Sequence, residues 1–81
     1  MSFYTYILFS EKLNRYYIGS TQNIHKRLDR HNAGATKSTK AGRPWVIVYS
    51  EEYESKSEAI KRENYLKSMK SRKFIKTLIS G

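Results

Sequence analysis

Phe3-Tyr4-Thr5-Tyr6-Ile7-Leu8-Phe9, then Ser10-Glu11-Lys12-Leu13-Asn14, then Arg15-Tyr16-Tyr17-Ile18-Gly19 is the stretch on which the fold turns. In an extended chain successive side chains point to opposite faces. Phe3, Thr5, Ile7 and Phe9 therefore face one way, and Tyr4, Tyr6 and Leu8 the other. Residues 3–9 read as a strand and the polar segment after them as a turn. Residues 15–19, rich in β-formers and closing on glycine, read as a second strand. A pivot between Glu11 and Lys12 pairs Tyr6 with Tyr17 and Phe9 with Asn14, which puts two tyrosines on one sheet face.

Downstream the period changes. Thr21 or Asn23 supplies a helix cap, and Ile24, Arg27, Leu28 and His31 recur at helical spacing before Asn32 and Gly34 end the run. The small, polar, basic segment 33–43 reads as a mobile loop. Trp45-Val46-Ile47-Val48-Tyr49 is an unbroken strand-forming run of the kind covered on both faces. Glu51-Glu52-Tyr53-Glu54 reads as an acidic connection, and Ser55-Lys56-Ser57-Glu58 spells a capping box that opens a helix. That helix has an inner stripe of Ala59, Ile60, Glu63, Leu66 and Met69. The pattern falters at 68–71, and Phe74, Ile75, Leu78 and Ile79 mark a last helix. The expected fold is α+β: a small three-stranded antiparallel sheet flanked by helices, in the order β-β-α-β-α-α, with 1–81 forming one domain.

Sixteen Lys and Arg face seven Asp and Glu, a net charge of +9 on 81 residues. So large a surplus on so small a body points to a polyanion, most simply nucleic acid. Cysteine is absent, which excludes a disulfide framework, a thiolate metal site and a cysteine nucleophile. The first residues carry no basic leader, and no apolar run approaches the ~20 residues of a membrane helix, so a cytoplasmic protein without a membrane role is expected. The tail from Lys61 to Lys76 has the charge of a membrane-surface helix. Its apolar residues, however, are needed for the core of so small a domain.

Three polar residues interrupt stripes that should be apolar: Arg27 and His31 on the first helix and Glu63 on the second. Charged side chains are rarely buried without a partner, because losing hydration costs several kcal/mol. An Arg27–Glu63 pair across the helices would satisfy two of them. A face carrying Tyr6, Tyr17, Arg27, His31 and Glu63 also holds the groups that phosphodiester hydrolysis requires. Arg gives planar, bidentate contact to phosphate. A carboxylate can hold Mg²⁺, which keeps most of its water shell. A Tyr hydroxyl can position the attacking water, or take its proton if a nearby metal or cation lowers its pKa from ~10, and His can hold a proton near neutrality.

Tyr4-Thr5-Tyr6, Tyr17-Ile18-Gly19, Arg27 ten residues past Tyr17, and Glu63 in the late stretch Glu58-Ala59-Ile60-Lys61-Arg62-Glu63-Asn64-Tyr65-Leu66-Lys67 resemble, in that order, the GIY-YIG endonuclease superfamily. The likeness spans nearly the whole chain and is nearest to small stand-alone bacterial members. It implies a nuclease that uses one divalent ion, Mg²⁺ or Mn²⁺, and favours DNA over RNA as substrate. By the same resemblance Tyr17 stands beside the attacking water as general-base candidate, Tyr6 orients water or phosphate, and Arg27 steadies the scissile phosphate. His31 assists proton transfer, Glu63 holds the metal, and Gly19 lets the backbone pass close to the site. The first motif keeps only its tyrosine, and Ser20 stands where repair members often have Lys.

Lys26, Arg30, Lys37, Lys40 and Arg43 around the loop, with Lys61, Arg62, Lys67 and Lys70 on the late helix, are the expected phosphate contacts. Target selectivity is expected from the loop, the tail, substrate shape or a protein partner. A binding module that keeps the fold without cleaving is the competing expectation. An RNA-recognition motif is set aside because its Gly-aromatic signature is absent.

Overall fold

The computed structural model describes residues 2–37 and 39–81. Strands β1 (Phe3–Ser10), β2 (Arg15–Thr21) and β3 (Trp45–Tyr53) form one antiparallel sheet in the order β2-β1-β3. Helix α1 (Ile24–Asn32) follows β2, and α2 (Lys56–Met69) and α3 (Arg72–Ser80) follow β3. The expected α+β order β-β-α-β-α-α is the observed one.

The alternation of β1 is used on both faces, because β1 is the central strand. Tyr6 and Leu8 pack with Trp45 under α1, joined by Tyr17, Ile24, Leu28 and Ile47. Ile7 packs with Leu66 and Ile75 under α2 and α3, joined by Ile18, Val48, Phe74 and Leu78. β1 is thus covered on both faces. β3, expected to be covered on both faces, is an edge strand and is so only in part: Ile47 joins the first cluster and Val48 the second, but Val46 is 51% exposed. β3 also runs through Glu51 and Glu52, expected as a connection, because their backbones pair with Thr5 and Tyr4.

The hairpin register differs from the expected one by two residues. Tyr6 pairs with Gly19, Leu8 with Tyr17 and Phe9 with Tyr16. The turn holds four residues, 11–14, and Asn14 takes a left-handed conformation (φ 54°), which Asn tolerates better than most side chains. A shift of two preserves the side-chain faces, so Tyr6 and Tyr17 still share one, with ring centroids 6.5 Å apart.

Asn23 caps α1 by accepting from the Lys26 N–H, and Ser55 caps α2 by accepting from the Glu58 N–H at 3.2 Å. The inner face of α2 is narrower than expected: Ala59 and Leu66 are buried, but Ile60 and Met69 are 37% and 38% exposed. Lys70 at φ 47° ends α2, and Ser71 starts α3.

Of segment 33–43, expected as a mobile loop, Ser38 lies outside the described residues, and the described part is anchored to the core at Thr39 and Gly42. Gly42 is buried, with the Trp45 ring where a β-carbon would sit, and its carbonyl accepts from the Ser10 hydroxyl at 2.6 Å. The indole N–H of Trp45 donates to the Thr39 carbonyl at 2.7 Å. Asn32 pairs with both backbone groups of Trp45, accepting from its N–H at 2.6 Å and donating to its carbonyl at 3.1 Å.

Candidate active site

The site forms where the edge of the sheet is bare. Tyr6 points toward α1 and lies across the backbone of Gly19 on β2. Arg27 and His31 come down from α1 on the same side. Glu63 approaches from α2 on the opposite side, where the Ser20 hydroxyl donates to its Oε1 at 2.7 Å. The five residues expected on one face are therefore split four and one by the sheet, and they communicate around the edge of β2. The burial and charge effects on Tyr6 show the convergence. Desolvation, with a smaller push from the Tyr17 phenol, raises its pKa to about 12; the Arg27 guanidinium pulls the other way and the Glu63 carboxylate adds to the rise.

The two tyrosines are held differently. Tyr6 is fully buried and stays protonated to high pH, so its hydroxyl is a donor and an orienting group. Tyr17 is half-buried, its ring is packed against His31 at 4.9 Å, and among the described residues no hydrogen bond ties down its hydroxyl. Of the two, Tyr17 alone is free to meet a water.

His31 is buried, and its tautomer follows from its neighbours. The Thr39 hydroxyl donates to the Thr36 carbonyl at 3.3 Å, so it accepts from His31 Nδ1–H at 2.7 Å. That leaves Nε2 as acceptor for the Tyr6 hydroxyl at 3.4 Å. Burial, helped by the charges of Arg27 and Arg30, lowers the His31 pKa, so the ring is neutral at physiological pH. Thr39 is a site residue that sequence reasoning missed. A threonine in a polar loop carries no signal there; only the buried turn brings it to the ring.

The expected Arg27–Glu63 pair is replaced. Lys67, one turn along α2, donates to Glu63 Oε2 at 2.6 Å, while Ser20 holds Oε1. Among the described residues no group of three or more His, Cys, Asp or Glu stands together as a metal site. One half-buried carboxylate with hydroxyl and ammonium neighbours suits Mg²⁺ or Mn²⁺, which retain several waters and bind through one or two carboxylates plus phosphate. It does not suit zinc, which needs three or four protein donors.

The expected phosphate contacts are not equivalent. Lys26 and Arg30 line a cleft with Arg27 beside the site, and Lys67 and Lys70 line a second cleft with Tyr17. Lys37, Lys40, Lys61 and Arg43 line neither, and Arg43 donates to the Lys40 carbonyl at 2.9 Å. Arg62 is committed elsewhere: it grips Glu51 with two N–H groups at 2.9 and 3.2 Å and lies over the Tyr65 ring. Glu51 also accepts from the hydroxyls of Tyr49 and Tyr53. Burial works to raise the Glu51 pKa, but these hydrogen bonds outweigh it and hold the carboxyl below its usual value. Glu51 thus has a full set of partners, whereas the partners of Glu63 are one hydroxyl and one exposed ammonium.

A tyrosine laid over a strand glycine, an arginine and histidine one turn apart, and a lone carboxylate across the edge are the parts of a GIY-YIG nuclease. Residues 2–76 match the family model described as the GIY-YIG catalytic domain, and the chain belongs to that family. Nucleic acid is therefore its substrate class. Among its relatives is a UPF0213 protein of Staphylococcus haemolyticus, 42% identical over 76 residues that cover 93% of this chain and 92% of the relative. A UPF0213 protein of Staphylococcus aureus is 40% identical over 63 residues, covering 76% and 77%. The solution NMR structure of a UPF0213 protein from Bacillus halodurans superposes with a TM-score of 0.60 at 32% identity, covering 99% of this chain and 84% of that one. Among the described residues no helix is long and apolar enough to cross a membrane.

Proposed function

We propose that this chain is a metal-dependent endonuclease that hydrolyses phosphodiester bonds in DNA, acting on structured or damaged DNA in repair or recombination. The observation that carries the reading is the convergence of Tyr6, Tyr17, Arg27 and Glu63 on the bare edge of β2. In this reading Arg27 contacts the non-bridging oxygens of the scissile phosphate and offsets the charge that develops there. Tyr6, kept protonated with its one O–H directed at His31 Nε2, orients the attacking water by accepting a hydrogen bond from it. Tyr17 positions the attacking water and, in its phenolate form, accepts its proton. His31, neutral and fixed by Thr39, holds the Tyr6 hydroxyl in place. Glu63 would hold a single Mg²⁺ or Mn²⁺, whose chemistry there would be that of a Lewis acid toward phosphate and water.

The test is cleavage of branched, flapped and plain DNA by purified protein with Mg²⁺ or Mn²⁺, beside Glu63→Ala and Tyr17→Phe. Both variants are expected to lose cleavage; cleavage that survives Glu63→Ala defeats the metal role. A second reading, a nucleic-acid-binding module without catalysis, is favoured by one feature: both carboxylate oxygens of Glu63 already have protein partners. A Mg²⁺ titration followed by NMR separates the two, because the nuclease reading requires resonances around Glu63 to move.

A further inference from the structure

The two clefts beside Glu63 differ in kind. The first, of about 730 Å³, lies between the end of β2, α1 and the start of α2. Its lining carries Lys26, Arg27, Arg30 and Lys56, no carboxylate, and one aromatic ring, Phe3. Two carboxylates stand at its rim, Glu52 accepting from the Ser2 hydroxyl and Glu63 from the Ser20 hydroxyl. The second, of about 430 Å³, lies between β2 and the junction of α2 with α3. They meet at Glu63: Ser20, on one carboxylate oxygen, lines the first, and Lys67, on the other, lines the second. A polyanion crossing the site therefore runs out into one cleft on each side.

The rings set the clefts apart. In the second cleft Tyr16 lies under the Arg72 guanidinium at 5.1 Å and against Phe9 at 5.0 Å, and Tyr17 is packed on His31 and Trp45. In the first, Phe3 is only partly buried, belongs to neither core cluster, and has no ring or cation partner among the described residues. Nor do Lys26, Arg30 and Lys56 form ion pairs among the described residues. A large apolar ring left out of a small core and surrounded by unpaired cations is the combination that binds unpaired nucleotides. Such a ring stacks on any base, and the cations follow the backbone.

We propose that the first cleft holds a single-stranded polynucleotide segment, with Phe3 stacked on an unpaired base and Lys26, Arg30 and Lys56 on the phosphates. This rests on the nuclease reading of the neighbouring site and narrows it: the substrate is single-stranded on the Phe3 side of the cut. A paired duplex cannot supply that contact, because its base faces are already stacked on one another.

The experiment measures anisotropy of labelled single-stranded DNA and RNA dodecamers and a dodecamer DNA duplex, with EDTA present to prevent cleavage. Phe3→Leu should weaken single-strand binding roughly 5- to 100-fold and change duplex binding by less than about twofold, while Phe3→Trp retains single-strand affinity. Lys56→Gln should make the single-strand salt dependence shallower by about 0.7 log units per log unit of salt. A Phe3 effect on the DNA strand only, or on the RNA strand only, supports the cleft and names the strand it holds. If the wild-type protein binds no polynucleotide, the nuclease reading falls and takes this one with it. If it binds, but Phe3→Leu weakens strand and duplex alike or neither, the single-strand cleft alone is overturned.

Discussion

A β-carbon built on Gly19 would stand 2.5 Å from the hydroxyl oxygen of Tyr6 and 2.7 Å from its Cζ. The phenol of the central strand thus rests on the bare backbone of its neighbour. That is how a fully buried tyrosine reaches the sheet edge where Arg27 and Glu63 arrive. Glycine is required here for space rather than for backbone freedom.

Gly19→Ala should therefore displace Tyr6. Overpacking of this kind costs about 1–3 kcal/mol, so a lower melting temperature is expected together with a larger fractional loss of cleavage than the lost stability explains. Adding Tyr6→Leu should recover much of the stability and none of the activity. A Gly19→Ala protein that melts and cleaves like wild type would show that the phenol does not depend on that gap.

Thr39 fixes the histidine ring. Thr39→Val keeps the shape and leaves the buried His31 Nδ1–H without an acceptor, at a cost of about 1–3 kcal/mol. Denaturant unfolding should show that loss with an unchanged slope. Thr39→Ser, which restores the acceptor, should recover most of it.

How far the chain could be read depends on which residues carry a local signal. The alternation of Phe3 to Phe9 announces a strand because each face has its own cover. The face of Tyr6 and Tyr17 survives a register error of two because side-chain period is also two. The position of the turn was not legible, since it rests on Asn14 accepting a left-handed backbone. Nor was the sheet order: an apolar run such as Trp45–Tyr49 fits a central strand and an edge strand equally, and only tertiary packing chose β1 for the centre. In the site, Arg27, His31 and Glu63 were visible as polar breaks in apolar stripes. Thr39, Ser20 and the commitment of Arg62 to Glu51 were not, because each depends on contacts between segments far apart in the chain.

Acid and alkali should weaken the fold from different residues. His31 is held neutral, with its pKa lowered in the folded state, so the unfolded chain binds more protons below about pH 6.5. Its contribution is present above that pH and is lost as pH falls. Glu51, held below the usual carboxyl range, adds a second loss as pH falls through and below about 4.5. Tyr6 is raised, so its contribution is complete below pH 10 and disappears as pH climbs toward about 12. Thermal melts across pH should decline on both sides, and His31→Gln should flatten the decline between neutrality and mild acid. An unchanged acid limb in that variant would contradict a buried neutral histidine.

Binding should be steeply salt-dependent. If the cations lining the two clefts neutralise four to six duplex phosphates, the log–log slope of affinity against salt is roughly −4 to −5. Lys37→Ala and Lys40→Ala, outside both clefts, should leave it nearly unchanged. Titrations at several salt concentrations decide this, and a flat profile would remove the electrostatic grip.

The two carboxylates of the α2 face should separate stability from activity. Glu51 is gripped by Arg62 and two tyrosine hydroxyls, with the pair's side chains 28% and 19% exposed. Glu51→Gln breaks a charge-assisted network and leaves Arg62 partly buried without its counter-charge, so a loss of about 2–3 kcal/mol is expected. Glu63 is held by Ser20 and by Lys67, whose side chain is 49% exposed. An ion pair so open to water contributes no more than about 1 kcal/mol, so Glu63→Gln should unfold within that margin of wild type. Cleavage should show the reverse order: Glu63→Gln inactive though fully folded, and Glu51→Gln active at temperatures where it remains folded. Denaturant curves and cleavage assays on the same two preparations settle the assignment. A Glu63→Gln protein that cleaves would remove Glu63 from the proposed metal role, and a Glu51→Gln protein that is folded but inactive would point to β3 instead of α2.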